Sequence, residues 1–301
     1  MFISTHSGDV LRGMLDAGGG SLRIIRLHRV DEINVARELS PIELQEFWSD
    51  PLLRYSNILD GIFHEKVILC ESDSDNRFYA AVLDAVIEGK GKNAVRPDIM
   101  FTHCGGKARL PTAIAALRRL AVPVIAVADF DVLSEVHPLS AIITALGGDW
   151  AALQADWRQV KNSIDAKRPE LATADVRREI EPILAGAAEP VFPENARRAV
   201  LAVLARSSPW SLAKQTGKAF VPNGNPSQAV ERLMKGLRAI GLFVVDVGEL
   251  EQFVKTVPGH GPKWVNELLT TKDLADGELQ PAREFVTAMA DWKRQGSGGH
   301  H

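Results

Sequence analysis

The sequence predicts an α/β fold, with a parallel sheet that carries helices on both faces and a helical insertion between its third and fourth strands. Three observations indicate this class. Short runs rich in Val and Ile alternate with amphipathic stretches, as in sheets whose strands are buried on both faces. A long stretch with helical periodicity alone, from about residue 139 to 237, then interrupts the alternation. Strand-like residues return at 242–247, after Gly241, and glycine commonly ends helices.

Smaller elements are predicted ahead of the sheet. Residues 1–7 are strand-like, and 22–27 together with 33–39 predict a two-stranded ribbon. Ser40 precedes a proline, which is the pattern of a helix N-cap followed by proline at the first helical position. We therefore expect these residues to form a connecting segment before the sheet begins.

The central block predicts the alternating strands and helices of the sheet. In chain order these are a strand at 67–70, a helix at 75–87, a strand at 98–102, a helix after the Gly105–Lys107 turn, and a strand at 122–128. Such alternation implies right-handed crossovers and a parallel sheet, whose ligands bind beyond the carboxyl ends of the strands. The expected divisions are 1–65 for the N-terminal segment, 66–138 and 241–295 for the two parts of the sheet domain, 139–240 for the insertion, and 296–301 for a tag remnant.

Acidic residues follow two of the predicted strands. Glu71 and Asp75 come after the first strand, and Asp129 and Asp131 come after the third. Because carboxylates held close together repel one another, such a cluster is costly unless a cation neutralises it. Carboxylate oxygens are the hard ligands that Mg²⁺ and Mn²⁺ prefer. The pattern therefore predicts a divalent metal site, although an acidic helix start such as Asp75 also has a purely capping interpretation.

Two acidic motifs of this sequence resemble those of a known family. The E-x-x-x-D after the first strand and the D-x-D after the third resemble a TOPRIM domain, the metal-binding fold of primases, topoisomerases and certain nucleases. The sequences C-G-G-K at 104–107 and F-V-V-D-V-G-E-L-E at 243–251 are most similar to the OLD family of ATP-dependent nucleases. The resemblance implies a TOPRIM-like fold and a DNA endonuclease or nickase that hydrolyses phosphodiester bonds with two Mg²⁺ or Mn²⁺ ions.

The resemblance also implies roles for individual side chains. The acidic pair after the first strand would hold one ion, and the D-x-D pair would hold or bridge to the second. Lys214 resembles a lysine in the helical insertion of related nucleases, where positive charge stabilises the departing oxygen. Apart from the resemblance, the Gly-Gly-Lys turn would let Lys107 contact a phosphate, and a solvated lysine beside a glycine turn fits the same pattern equally well. Glu179, Glu181 and Glu249 are further candidate metal ligands, although glutamates on helix surfaces are usually solvated.

The opening I-S-T-H-S-G-D-V-L is similar to the last strand and switch histidine of ABC-type ATPase domains, with His6 as that histidine. The sequence contains no G-x-x-x-x-G-K-[ST] phosphate loop, so an ATPase cannot be assembled from it alone. We therefore expect the C-terminal part of a longer protein, whose partners are DNA and the ATPase domain of the same protein. The resemblance also suggests a homodimer.

Net charge, apolar runs and cysteine spacing limit the kinds of protein that this sequence can encode. The formal net charge of −3 gives no overall cationic field, so DNA contact requires a local basic patch or bound metal. No run of 18 or more apolar residues and no signal-peptide pattern occurs in the sequence, which predicts a cytoplasmic protein without a membrane span. Cys70 and Cys104 lack the spacing of a zinc site or a disulfide framework and are expected to be free thiols.

Two other functions fit parts of the sequence. V-I-A-V-A-D-F-D-V-L also resembles the nucleophile motif of haloacid-dehalogenase-like phosphatases, in which Asp129 would attack phosphate and Asp131 would act as acid and base. Such enzymes need a later acidic pair, and no Asp-Asp pair follows in this sequence. The other alternative is a non-catalytic scaffold for an ATPase partner, which the four intact carboxylates disfavour.

Overall fold

Helices and a central parallel sheet make up most of this computed structural model, which describes residues 2–17, 22–30, 32–54, 56–167, 172–187, 191–205 and 208–293. The expected tag remnant at 296–301 lies outside these residues. The helices and strands in chain order are α1 (Gly8–Asp16), β1 (Ile24–Val30), β2 (Ile33–Leu39), α2 (Pro41–Ser49), α3 (Pro51–Arg54), β3 (Lys66–Cys70), α4 (Asp73–Gly89), β4 (Ile99–His103), α5 (Leu110–Arg119), β5 (Val124–Ala128), α6 (Val136–Ala145), α7 (Trp150–Asp165), α8 (Thr173–Ala185), α9 (Glu194–Ala205), α10 (Pro209–Thr216), α11 (Asn225–Ala239), β6 (Leu242–Val244), α12 (Gly261–Thr271) and α13 (Gln280–Asp291). Within the described ranges, every helix is too short or too polar to cross a bilayer.

The central sheet has the strand order β4-β3-β5-β6, and all of its strands run parallel. Helices cover both faces of this sheet, and the helical insertion separates β5 from β6, so the predicted α/β, TOPRIM-like class is confirmed. The last strand is shorter than predicted and ends at Val244. The neighbouring strand β5 ends at Ala128, which accepts a final hydrogen bond from the Val245 N–H at 2.9 Å. Beyond that point β5 offers no further strand residue for pairing, so the chain turns away.

Alternate residues of each strand point to opposite faces of the sheet. Val67 and Leu69 pack into the core formed with α5, α6, α7 and α11, whereas Ile68 and Cys70 pack into the core formed with α4, α12 and α13. Because both faces are covered, the strands have continuous apolar sequences rather than alternating ones. Cys70 and Cys104 are buried and free, as predicted.

The insertion, from α6 to α11, contacts the turn after β5 through α7 and α10. Its helix α7 packs on α11, and α10 contacts the short 3₁₀ helix Phe130–Ser134 that follows β5. The buried indole of Trp157 donates a hydrogen bond to the Leu133 carbonyl oxygen at 2.9 Å, which ties α7 to the same 3₁₀ helix. The insertion therefore contributes side chains to the region where β5 ends.

The N-terminal segment differs from expectation in its first element. Residues 2–7, all of them described, form no strand and lead instead into α1. A strand needs a neighbour to accept its hydrogen bonds, and no described strand pairs with these residues. The predicted ribbon is confirmed as the antiparallel pair β1–β2. Arg26 of β1 is buried and donates to the carbonyl groups of Ile62, His64 and Ala121 at 2.8–2.9 Å, which fastens the ribbon to the sheet domain.

Candidate metal centre

Glu71 and Asp129 meet at the carboxyl edge of the sheet. Strands β3 and β5 are adjacent and parallel, so the residues that follow them emerge side by side. The backbone N–H of Asp129 donates to Glu71 Oε1 at 3.2 Å. Below this contact, the Gly106 N–H donates to the Glu71 carbonyl oxygen at 2.8 Å and holds the turn after β4 against the end of β3. The two acidic clusters of the sequence are therefore in contact.

Asp75 joins this edge from the first turn of α4. Ser72 is the N-cap of that helix, and Asp75 Oδ2 accepts hydrogen bonds from the Ser72 backbone N–H and hydroxyl, both at 2.9 Å. This capping box fixes the position of the carboxylate. The negative charge of Asp129 nevertheless acts on Asp75. The Asp75 side chain can therefore cap α4 and belong to the acidic cluster at the same time.

Asp131 is held one step further along the chain, in the 3₁₀ helix after β5. The Phe130 N–H donates to the Gly248 carbonyl oxygen at 2.7 Å, which packs this turn against the loop that follows β6. Lys107 Nζ lies 2.9 Å from Asp131 Oδ2. The lysine follows Gly106, whose φ of +122° favours glycine and directs the chain into the turn. The Gly-Gly-Lys turn therefore places the ammonium group of Lys107 beside Asp131, the second aspartate of the D-x-D.

Lys214 reaches the same edge from α10 of the insertion. Its Nζ lies 2.9 Å from Asp129 Oδ2 and 3.9 Å from Glu249 Oε2. The end of α10 lies against the loop after β6 at backbone contact distance. A Cβ on Gly248 would be 2.1 Å from the Lys214 carbonyl oxygen, and one on Gly217 would be 2.0 Å from the Asp246 carbonyl oxygen. Two glycines thus allow the approach that places Lys214 on Asp129.

We expect Gly248→Ala to be strongly destabilising because it combines a steric clash with a positive φ of +118°. Gly91 is the matched control, since its φ is +96° but nothing lies within 4 Å of its Cβ position. Gly91→Ala should lose about 1–2 kcal/mol of unfolding free energy for the backbone conformation alone. Gly248→Ala should lose clearly more, about 3 kcal/mol or above. Urea unfolding measures both, and equal losses would contradict the close packing described for α10.

Three further side chains lie on the loop after β6. Glu249, Glu251 and His260 each offer a ligand atom, and these atoms lie within 4.8 Å of one another. Glu251 is buried, and its Oε1 accepts from the Gly261 N–H at 2.7 Å and lies 2.8 Å from His260 Nδ1. Sequence reasoning considered Glu249 but missed Glu251 and His260. The available signal was the G-E-L-E that follows the fourth strand, together with the turn-rich loop that carries His260.

The acidic edge binds protons more tightly than isolated carboxylates do. Burial, followed by the charge of Asp129, raises the pKa of Glu71 to about 8, and the same two causes raise the pKa of Asp75 to about 6. Burial also raises the pKa of Asp129, although Lys214 opposes that shift. Burial alone would lower the pKa of Lys214, but the neighbouring carboxylates, Asp129 first, raise it overall. Buried oxygens that resist ionisation in isolation fit a site for hard divalent cations.

Not every candidate residue from the sequence joins this edge. Glu181 lies on α8, which has no buried residue among those described, and its carboxylate is 68% exposed and 3.7 Å from Arg177 Nε. Glu179 lies on the same helix. Lys218, four residues after Lys214, lies 3.0 Å from Glu231 Oε1. The structure therefore brings Glu71, Asp75, Asp129, Asp131, Lys107, Lys214 and Glu249 together and leaves Glu181 on the surface of the insertion.

Comparison with known proteins found a match for part of the chain. Residues 62–131 match the family model described as "Overcoming lysogenization defect protein-like, TOPRIM domain", under a quarter of the chain. No curated protein and no solved structure matches the chain. The matched range contains the four carboxylates and Lys107, whereas Lys214 and the loop after β6 lie outside it. The match supports the TOPRIM region of an OLD-like protein, and a domain of that type suggests a metal-dependent enzyme that acts on nucleic acids.

Proposed function

We propose that this chain is the nuclease part of an OLD-like protein and cleaves DNA as an endonuclease or nickase, hydrolysing phosphodiester bonds with two Mg²⁺ or Mn²⁺ ions. The observation that carries the proposal is the convergence of carboxylates from three separate segments, namely the end of β3, the start of α4 and the end of β5. The family match covers the same residues, which supports the nuclease over a phosphatase that would use Asp129 as nucleophile.

The chemistry follows from what each side chain can hold. Bound divalent cations supply a water that is nucleophilic at neutral pH and neutralise the charge that develops on the phosphate. In the proposed arrangement Glu71 and Asp75 would hold one ion, and Asp129 and Asp131 would hold or bridge to the second. The fixed capping geometry of Asp75 and the backbone bond to Glu71 orient these two ligands before the cation arrives.

The two lysines supply the remaining positive charge. Each lies 2.9 Å from one aspartate of the D-x-D, Lys214 from Asp129 and Lys107 from Asp131. With cations held by the aspartates, the two ammonium groups would be available to a DNA phosphate. We propose that Lys214 stabilises the departing oxygen and that Lys107 contacts a neighbouring phosphate oxygen.

The wider setting of this activity is also a proposal and derives from the sequence resemblance. The proposed divisions are 1–65, 66–138, 139–240 and 241–295, with His6 as the switch histidine of an ATPase domain in the same longer protein. ATP-dependent action, a homodimer and a cytoplasmic location belong to the same proposal. The hydrogen bond from buried Arg26 to the Ala121 carbonyl oxygen supports a fixed connection between the first and second of these divisions.

Relaxation of supercoiled plasmid DNA tests the proposal. We expect nicked and linear products with MgCl₂ or MnCl₂ and none with excess EDTA. The same preparations are assayed with para-nitrophenyl phosphate, on which we expect no turnover. Phosphatase turnover without plasmid cleavage would reject the nuclease and favour the haloacid-dehalogenase-like alternative. Absence of both activities, with an intact fold by circular dichroism, would favour a scaffold.

A further inference from the structure

The hydroxyl group of one core tyrosine is buried without a hydrogen-bond partner among the described residues. Tyr79 is 1% exposed, and no described residue accepts from or donates to its hydroxyl oxygen. A polar group buried in this way costs about 1–3 kcal/mol unless something pairs with it. Phenylalanine would fill the same core space at no such cost. The hydroxyl is therefore the part of Tyr79 that the core does not require.

Tyr79 belongs to the aromatic core and lies on the helix that carries Asp75. It lies one helical turn after Asp75 on α4, on the same face of the helix. The ring packs against Phe253 and Phe285, at centroid distances of 6.5 and 5.8 Å. Besides Asp75, the charged groups that act on the phenol include Asp129 and Glu251. The side chain thus lies in the aromatic core and within electrostatic reach of carboxylates on two other elements.

Burial and nearby negative charge determine whether the Tyr79 hydroxyl acts as a donor or as an acceptor. Burial, and then the negative charges led by that of Asp75, raise the pKa of Tyr79 well above its ordinary value. The phenol therefore keeps its proton and can donate a hydrogen bond to a carboxylate or to a water. Donors of this kind orient the carboxylates that bind metal ions in other proteins, and their loss typically weakens metal affinity 10–100-fold.

We propose that Tyr79 is a positioning residue of the metal centre, whose hydroxyl donates a hydrogen bond to one water shared with the carboxylates of Asp75 and Glu251. The bond connects α4 to the loop after β6 and orients Asp75 toward the cation. This inference rests on the proposed metal-dependent function. It adds a residue to which neither the sequence motifs nor the family match gives a role.

Tyr79→Phe tests the inference because it removes only the hydroxyl. Thermal unfolding is followed while MgCl₂ or MnCl₂ is titrated into the purified chain. We expect the melting temperature without metal to be unchanged or higher, since the unpaired group is gone. We expect the cation concentration that gives half of the metal-induced rise to increase about tenfold or more. Plasmid cleavage should need correspondingly more cation and approach the wild-type rate at saturation.

Phe285→Leu is the matched control, because it loosens the packing on the Tyr79 ring while leaving the hydroxyl in place. It should lower the melting temperature without moving the cation midpoint. If the wild type responds to metal and Tyr79→Phe has the same midpoint, the Tyr79 inference is wrong and the proposed function stands. If the wild type itself shows no metal response and no cleavage, the proposed function fails and the Tyr79 inference fails with it.

Discussion

Asp129→Asn is expected to lower metal-dependent plasmid cleavage about 10³-fold or more, which corresponds to about 4 kcal/mol of transition-state stabilisation. The amide keeps the size of the side chain but removes the charge that a cation needs. It also removes the charge partner of Lys214, whose Nζ lies 2.9 Å from Asp129 Oδ2. Because one substitution affects both the proposed metal ligand and the proposed lysine, this prediction has the largest expected effect on activity.

Asp73→Asn is the matched control for that loss. Asp73 belongs to the same acidic stretch as Asp75, but its side chain is 55% exposed and its ion pair is with Arg77. Cleavage by Asp73→Asn should stay within about twofold of wild type, as for most surface substitutions. Initial rates on supercoiled plasmid at saturating MnCl₂ give the comparison. Substantial cleavage by Asp129→Asn, in a folded preparation free of contaminating nuclease, would remove Asp129 from the reaction.

Glu71→Gln is expected to stabilise the metal-free chain while abolishing most of its stabilisation by metal. The pKa of Glu71 is raised from 4.5 to about 8 by burial and by Asp129, so its ionised form opposes folding near pH 8. The glutamine carbonyl can still accept the Asp129 N–H. At pH 8 without metal we expect the melting temperature of Glu71→Gln to exceed that of wild type by roughly 5 °C. Millimolar MgCl₂ should raise the wild type and leave the variant nearly unchanged.

The gain in stability of Glu71→Gln over wild type should depend on pH in one direction. A carboxyl group whose pKa is higher in the folded than in the unfolded chain binds more protons when folded, between pH 4.5 and about 8. Its contribution to stability therefore falls as the pH rises through that window. The gain from Glu71→Gln should be small at pH 5 and largest near pH 8. Thermal unfolding across this range checks it, and a gain that is larger at pH 5 would contradict the buried, coupled environment of Glu71.

The sheet and the main carboxylates were predictable because they follow from local patterns. Fully buried strands have continuous apolar sequences, and parallel neighbours deliver the residues after them to one edge. Glu71 and Asp129 obey both rules and make contact. The position of Lys214 was accessible only through the family resemblance, because it depends on how α10 packs against the loop after β6. No periodicity in the sequence encodes that long-range contact between Lys214 and Gly248.

Other features could not be predicted for equally physical reasons. Glu251 and His260 are nine residues apart in a turn-rich region, and only the folded loop brings them to 2.8 Å. Tyr79 follows an apolar helical pattern that predicts core packing, which conceals the environment of its hydroxyl. The strand prediction was wrong over residues 2–7, because strand-like composition does not supply the neighbour that a strand requires. Contacts between distant segments are the common factor in these cases.

The central claim is that the carboxylates at the ends of β3 and β5 chelate a pair of hard cations. Anomalous diffraction from crystals grown or soaked in MnCl₂ tests it most directly, because manganese positions are then located independently of any assay. We expect two manganese ions close together, one bound by Glu71 and Asp75 and the other by Asp129 and Asp131. Crystals at saturating MnCl₂ in which Lys214 and Lys107 still neutralise the two aspartates, with no manganese on these carboxylates, would contradict it.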